Sequence, residues 1–314
     1  MGFPLRKFSM TVREIQQTGP YCYTYSPFHP PIAKVTPGET VCIHTVDAFE
    51  NKLTPEVEHF ADVCTYPFLN PQTGPVLVEG AEPGDTLVVK IHAIEPTRDH
   101  AVTGTIPYFG GLTSTRLDPM LQDALEEQWL FLPLEEVGIR FDEKRVIPYE
   151  PFMGTMGVAP EIEAVNALTP DYYGGNMDCV DTSPGNEVWF PVLVEGAHFF
   201  TGDAHASQGD GELTGVALEI PAKVTVTLDL KKGYSIGWPR IVSDDFIMVA
   251  GSARPLDAAA RIAWVELIDW MVADYGFDRM RAYHFLGQVG QMRLGNMVDP
   301  KFTMVAKCPR KYLS

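Results

Sequence analysis

The seven residues PVLVEGA occur twice in this chain, at Pro75–Ala81 and again at Pro191–Ala197. An identical heptamer is improbable by chance in 314 residues, so the simplest explanation is an internal duplication of a strand followed by a turn. Each copy then reaches a Gly-Asp pair, Gly84-Asp85 in the first and Gly202-Asp203 in the second. The repeat therefore predicts a body built from a duplicated strand-turn unit.

Alternating apolar residues extend this β pattern along the chain. Residues 86–92 alternate in this way, and residues 223–230 place four apolar side chains on one face: Val224, Val226, Leu228 and Leu230. Strict alternation is typical of half-buried strands. The chain's 27 glycines and 26 prolines punctuate its first three quarters with turns. We expect a mainly β fold, a sandwich or a barrel-like body.

The pattern changes to a helical one near the C-terminus. The apolar residues Trp264, Ile268, Met271 and Tyr275 recur at helical spacing, and Gly276 is a natural stop. Asp278 can cap a second helix that ends near Phe285. We expect a mainly β body over residues 1–231, which contains the site, and a small α+β part over residues 232–314. A further short helix is expected around residues 118–128.

Composition restricts the possible partners. Lysine and arginine number 24 against 41 aspartates and glutamates, a net charge of −17. So acidic a surface repels nucleic acid and anionic membranes, and it is compatible with a small neutral substrate. The five cysteines are scattered, without C-x-x-C pairs, which disfavours a disulfide framework or a zinc ribbon. With no apolar run of membrane-spanning length, these features predict a cytoplasmic protein.

The second copy of the repeat leads into a segment rich in reactive side chains. Residues 203–212 read DAHASQGDGE, whereas a plain strand follows Asp85. Asp203 and His205 are two residues apart and so face the same side of an extended segment. They suit two ligands of one divalent metal, or a carboxylate that orients an imidazole. The alternative is a turn aspartate beside a core histidine.

Three further positions are candidates. Asn176 and Asp178 follow a glycine pair, where Asp178 can ligate a metal or simply bond its own turn. Asp47 follows a mostly apolar stretch and is typical of a strand end. Glu195 or Glu212 can act as the general base. However, Glu79 occupies the place of Glu195 in the plain copy, which favours a structural role for both.

Two other functions remain open from the residues alone. Cys179 can be the nucleophile of a cysteine amidase, although the sequence does not locate the base that it needs. A non-enzymatic β-rich module can use the same loops to hold calcium or a small ligand. Turnover of a substrate distinguishes the catalytic functions from the binding module.

Taken together, several of these segments resemble one known family. Gly174–Asp178, Val192–Ala197 and Gly202–Glu212 look like the core signature of the acetamidase/formamidase family. Further similar segments span most of the chain in the same order: Pro37–Val41, Thr45–Ala48, Gly157–Pro160 and Leu294–Pro300.

The resemblance implies hydrolysis of small aliphatic amides, such as formamide or acetamide, to a carboxylate and ammonia. It also implies a divalent metal, zinc or calcium, and homo-oligomers built from dimers. The residues that match the family's polar cluster, and that we assign as metal ligands, are Asp47, Asp178, Asp203 and His205.

The remaining roles are assigned by chemistry. Glu195 or Glu212, with His205, would move protons, and Asn176 and Gln208 would bind the substrate amide. The bulky pairs Tyr172-Tyr173 and Phe199-Phe200 depart from the family pattern. We expect them near the pocket, where they would influence the choice of substrate.

Overall fold

The computed structural model describes residues 12–113 and 124–313. In chain order, the first eleven strands are β1 (Arg13–Ile15), β2 (Thr24–Tyr25), β3 (Ala33–Val35), β4 (Glu39–Thr45), β5 (Thr73–Val78), β6 (Thr86–Pro96), β7 (His100–Thr105), β8 (Gln128–Glu135), β9 (Gly138–Arg140), β10 (Val146–Ile147) and β11 (Phe152–Val158). The later elements are β12 (Val165–Asn166), β13 (Gly174–Asn176), β14 (Glu187–Pro191), β15 (Phe199–His205), β16 (Glu219–Ile220), β17 (Ala222–Lys231), β18 (Arg240–Val242), β19 (Phe246–Ala253), α1 (Leu256–Tyr275), α2 (Arg279–Val289), β20 (Gln291–Asn296) and β21 (Phe302–Pro309).

Most strands belong to two large sheets, which confirms the mainly β prediction. The first sheet has nine strands in the order β1-β4-β17-β6-β14-β18-β19-β21-β20. The second has ten: a path β10-β9-β8-β7-β16-β15-β11-β13, with β5 pairing with β15 and with β3. Nearly all neighbours are antiparallel; β1 with β4 and β3 with β5 are parallel pairs.

The two sheets pack face to face around one hydrophobic core. The strand β17 shows why, because its apolar residues Val224, Val226 and Leu228 are fully buried while the residues between them reach the outer face. They share a core cluster with Met156 and Phe199 of the second sheet. Alternation along each strand thus supplies the inner face of a sandwich.

The two PVLVEGA copies lie side by side and form matching turns. In each copy the alanine N–H donates to the valine carbonyl three residues earlier, and the intervening Gly80 and Gly196 have φ of 73° and 78°. The copies also bond to each other, since Val78 N–H donates to Gly196 O. Their surroundings differ, because the first copy begins inside β5 of the second sheet and the second copy begins at the last residue of β14 of the first sheet.

The helical pattern near the C-terminus is confirmed. The helix α1 ends at Gly276, whose φ is 67°, and the Asp278 carboxylate caps α2 by accepting from two backbone N–H groups. Both helices pack on a second apolar cluster against β19 and β21. Since β18–β21 continue the first sheet, the division at residue 231 stays a prediction.

The short helix expected around residues 118–128 falls mostly outside the described residues; residues 124–127 are irregular and Gln128 begins β8. Within the described residues, no helix has the length and apolar character needed to cross a membrane.

Candidate active site

The strand β15 carries Asp203 and His205 in the middle of the second sheet, between β11 and β16. Both side chains are almost fully buried. As the two-residue spacing predicts, they meet, with Asp203 Oδ1 and His205 Nε2 3.3 Å apart. The opposite partner of His205 is Glu219 of β16, whose Oε1 is also 3.3 Å from Nε2. His205 therefore lies between two carboxyl groups.

Loops bring three more acids to this point of the strand. Asp178, His205 and Glu212 place ligand atoms within 4.8 Å of one another, as do Asp203, His205 and Glu219. Asp299, from the loop between β20 and β21, adds a fifth carboxyl beside Asp178. All five acids are buried.

The backbone is strained at several of these positions. Asp178, Asp203 and Glu212 have φ of 46°, 56° and 50°, and nearby Asn70 has φ of 52°. This left-handed region is uncommon for residues other than glycine and clusters at functional sites. At all three acids, the left-handed backbone carries a side chain that is buried in the cluster.

The pKa values reflect the crowding. Burial raises the pKa of four of these acids well above their ordinary values, and the negative charges of their neighbours add to the effect. These four are Asp178, Glu212, Glu219 and Asp299.

Asp203 behaves differently from its neighbours. Burial by itself raises the pKa of Asp203, yet the charge of His205 and the hydrogen bonds that Asp203 accepts bring its pKa below the ordinary value. Among these bonds, Asn70 Nδ2 and Thr155 Oγ1 each donate to Asp203 Oδ2 over 2.8 Å. Asp203 is therefore the acid of the cluster whose ionised form the surrounding groups stabilise.

Gln208 fixes the tautomer and the orientation of the His205 ring. The Gln208 Nε2 group donates to the backbone carbonyls of Asp178 and Gly295, both at 3.1 Å, which fixes the orientation of the side-chain amide. Its Oε1 then faces His205 Nδ1 at 3.1 Å and accepts from it. With Nδ1 protonated, Nε2 points into the acid cluster. Gln208 thus lies behind the imidazole and positions it.

The donor set fits a divalent cation. Within the described residues, no lysine or arginine forms an ion pair with any of the five acids. Five atoms of the cluster are also without a hydrogen-bond partner: both carboxylate oxygens of Asp178, His205 Nε2, Glu219 Oε2 and Asp299 Oδ1. Buried groups of this kind are protonated, paired or bound to metal. The buried His/Asp/Glu groups can therefore hold a metal ion.

Two sequence-predicted residues are not among the grouped ligand atoms of the cluster. Asp47 is buried, and Arg98 Nη1 donates to its Oδ2 at 2.7 Å while two backbone N–H groups donate to its Oδ1. Its carboxylate is near enough to Glu219 for its charge to raise the pKa of that acid, and its role as a ligand stays a prediction. Glu195 is exposed in the second PVLVEGA turn, not buried as a base of raised pKa requires. Glu79 is exposed in the first turn as well, in keeping with the structural alternative.

Asn176 lies in the cluster and supports an acid there. Its Nδ2 donates to Asp299 Oδ2 over 2.8 Å, and its Oδ1 accepts from Asn70 Nδ2 over 3.0 Å. It also lines a small cavity of about 30 Å³ that the acids Asp203, Glu212, Glu219 and Asp299 face. That volume holds one or two water molecules or the head of a small amide.

Cys179 lacks the surroundings of a nucleophile. It is buried within the main core cluster, and burial raises the pKa of its thiol. Its Sγ contacts a carboxylate oxygen of Asp181 at 3.8 Å, which further disfavours a thiolate. The geometry gives no support to the cysteine amidase.

Four members of the cluster were not predicted from the sequence: Asn70, Thr155, Glu219 and Asp299. Glu219 had a usable signal, because it is a single charged residue inside the apolar run of residues 216–222. Asp299 and Asn70 come from distant loops, and no local pattern predicts where such loops meet. Tyr173, Phe199 and Phe200 belong to the core and Tyr172 packs against it, so none of the four lines the cavity near which they were expected.

Comparison with known proteins supports the resemblance. A family model described as the Acetamidase/Formamidase family matches residues 9–168 and 162–312, two successive segments in keeping with a duplication. A solved structure of an acetamidase from Yersinia enterocolitica superposes with a TM-score of 0.95 at 41% identity, covering 98% of this chain and 94% of that one.

Curated relatives are more distant and longer. An acetamidase from Mycolicibacterium smegmatis is 28% identical over 222 residues, 51% of this chain and 53% of the relative. A formamidase from Methylophilus methylotrophus is 27% identical over 259 residues, 66% of this chain and 63% of the relative. The chain thus spans between half and two thirds of the curated relatives that it matches.

Proposed function

Since this chain belongs to the acetamidase/formamidase family, we propose that it hydrolyses the C–N bond of small amides to a carboxylate and ammonia, assisted by a divalent metal ion. The observation that carries the proposal is the group of five buried carboxyls around His205, which opens on a small cavity. The relatives described as acetamidase and formamidase supply the substrate class.

His205 Nε2 and Asp203 would hold the metal, together with carboxylates of Asp178, Glu212 or Glu219. A nitrogen ligand beside carboxylate oxygens favours zinc over calcium, because calcium prefers an all-oxygen shell. When bound, such an ion polarises a carbonyl oxygen or lowers the pKa of a water molecule.

The remaining residues would position and move protons. Glu212 lines the cavity and lies beside Asp178, so it can accept a proton from the attacking water and pass it to the departing nitrogen. Glu219 lines the same cavity and is the rival acceptor. Asn176 would bind the substrate amide or, through its hydrogen bond to Asp299, position that acid.

A matched pair of variants tests the role of Glu212 as the proton acceptor. Glu212→Gln keeps the size of the side chain and removes its proton transfer, so we expect kcat to fall by roughly 10²- to 10⁴-fold in an ammonia-release assay with acetamide and formamide. Glu195→Gln makes the same change on the surface and should leave kcat unchanged.

Two results would contradict the proposal. If no short amide releases ammonia, the binding module is favoured. If Glu212→Gln is fully active, a residue other than Glu212 transfers the proton. Metal analysis of the purified protein, run beside the assay, identifies the ion.

We also retain the dimer-based oligomer and the cytoplasmic location as proposals. The five cysteines are all free thiols, which suits a reducing compartment. Light scattering and cell fractionation test the two points.

A further inference from the structure

We propose that the preferred substrates are primary amides with an extended apolar acyl group, such as hexanamide or phenylacetamide, rather than formamide or acetamide. The carboxamide head would occupy the small inner cavity, and the acyl group would lie in a larger aromatic-walled cavity beside it. This inference rests on the proposed amide hydrolysis and names the substrate class of the same site.

The two cavities adjoin. The outer one has a volume of about 590 Å³, within the range that holds drug-sized ligands. Four apolar side chains line both the inner and the outer cavity: Leu69, Ile106, Phe109 and Leu168. These four side chains therefore form the boundary between the outer cavity and the cavity that the acids face.

The walls of the outer cavity suit an apolar group. Phe60, Tyr66 and Tyr108 contribute aromatic surface, and both tyrosines are more than half exposed at this position. Exposed aromatic surface in a concave site gains free energy when a ligand covers it. Acetamide is too small to cover any of it while its head is in the inner cavity.

The charged side chains of the outer wall are already engaged. Glu127 Oε1 accepts from the backbone N–H of Phe60 at 2.6 Å and from Trp129 Nε1 at 2.8 Å. Arg254 donates to the backbone oxygen of Asp299 at 2.9 Å and lies over the Phe302 ring. The described wall therefore offers little to a charged tail and much to an apolar one.

The inner cavity determines the orientation of the amide. Its polar lining consists of carboxyl and carboxamide groups, whose oxygens can accept from the two N–H donors of a primary amide. A substituent on the nitrogen would remove one donor and would not fit in about 30 Å³. The substituent must then be on the carbonyl carbon and point outward.

A series of amides tests the inference on the purified, metal-loaded protein. Each buried methylene contributes roughly three- to fourfold in affinity, so kcat/KM should rise at least about tenfold from acetamide to hexanamide. Phenylacetamide should exceed acetamide similarly, and N-benzylacetamide should be a poor substrate. A flat or falling series overturns the inference, and a preference for N-benzylacetamide overturns the orientation.

Two variants locate the acyl group. Ala61 and Thr65 line the outer cavity and are exposed, so Ala61→Trp and Thr65→Trp take up part of it without disturbing the core. Either should lower kcat/KM for hexanamide about tenfold or more and lower it much less for acetamide. Ala273→Trp, on an exposed position of α1, is the matched control and should change neither value.

The possible failures are distinguishable. If both tryptophan variants fold, as judged by thermal unfolding, and hydrolyse hexanamide like the parent, the outer cavity does not hold the acyl group. Hydrolysis of acetamide without a gain for longer amides overturns this inference alone. A protein that hydrolyses no amide overturns the proposed function and this inference with it.

Discussion

Gly154 determines how closely β11 approaches the acid cluster. A Cβ atom at this position would lie 2.6 Å from His205 Cε1 and 2.7 Å from Asp203 Oδ2. Both distances are well inside van der Waals contact, and neither neighbour has room to move, because both are buried. The absence of a side chain at residue 154 is therefore part of the site.

Gly154→Ala should inactivate the protein while leaving it folded. Displacing His205 or Asp203 by even 1 Å costs roughly 100-fold in rate, and overpacking costs about 1–3 kcal/mol of stability. The control is Gly287→Ala in α2, where a Cβ meets no atom within 4 Å. Kinetics and urea unfolding of both variants provide the comparison, and wild-type activity in Gly154→Ala would show that the cluster is looser than the distances indicate.

At the same scale, the sequence predicted part of the site. Asp203 and His205 meet because strand geometry places residues i and i+2 on one face, a rule that local sequence obeys. The comparison of Glu195 with Glu79 was also informative, since both are exposed. Glu219 and Asp299 were missed because their places depend on the pairing of distant strands and loops.

Among the elements, the duplicated heptamer shows what local sequence determines and what it does not. Both copies form the same turn with a left-handed glycine, as identical sequences should. However, one belongs to a strand of the second sheet and the other follows a strand of the first. Tertiary neighbours decide the sheet, so the repeat predicted β structure and turns but not strand order.

Helix α2 offers a test of an element predicted from sequence. Asp278 accepts from the N–H groups of Met280 and Arg281 at 3.0 and 3.1 Å. Asp278→Ala should lower the free energy of unfolding by about 1 kcal/mol, and Asp278→Asn, which keeps an acceptor, should restore most of it. Thermal unfolding measures both. Amidase activity should not change, and a loss of activity would mean that α2 supports the site.

At the scale of the whole molecule, acidic side chains outnumber basic ones, and the acid cluster is where several of them are buried together. The chain has a net charge of −17, and five of its carboxyls are buried around one imidazole. Removing carboxylates from water without a counter-charge is unfavourable. A bound cation would therefore link the stability of both sheets to the site, because β11, β13 and β15 carry or adjoin the proposed ligands and the loop before β21 carries Asp299.

Metal removal should accordingly destabilise the entire fold and not only abolish activity. An ion at 100 times its Kd adds about 2.7 kcal/mol, so dialysis against a chelator should lower Tm by about 4 °C, and zinc should restore it. His205→Ala provides the control, since without the imidazole the chelator should produce little further change. The Tm could also be equal with and without chelator, in a parent protein shown to be metal-free after dialysis. That result would mean that the acids are neutralised by protonation and not by a metal ion. The metal would then have no part in holding the two sheets together.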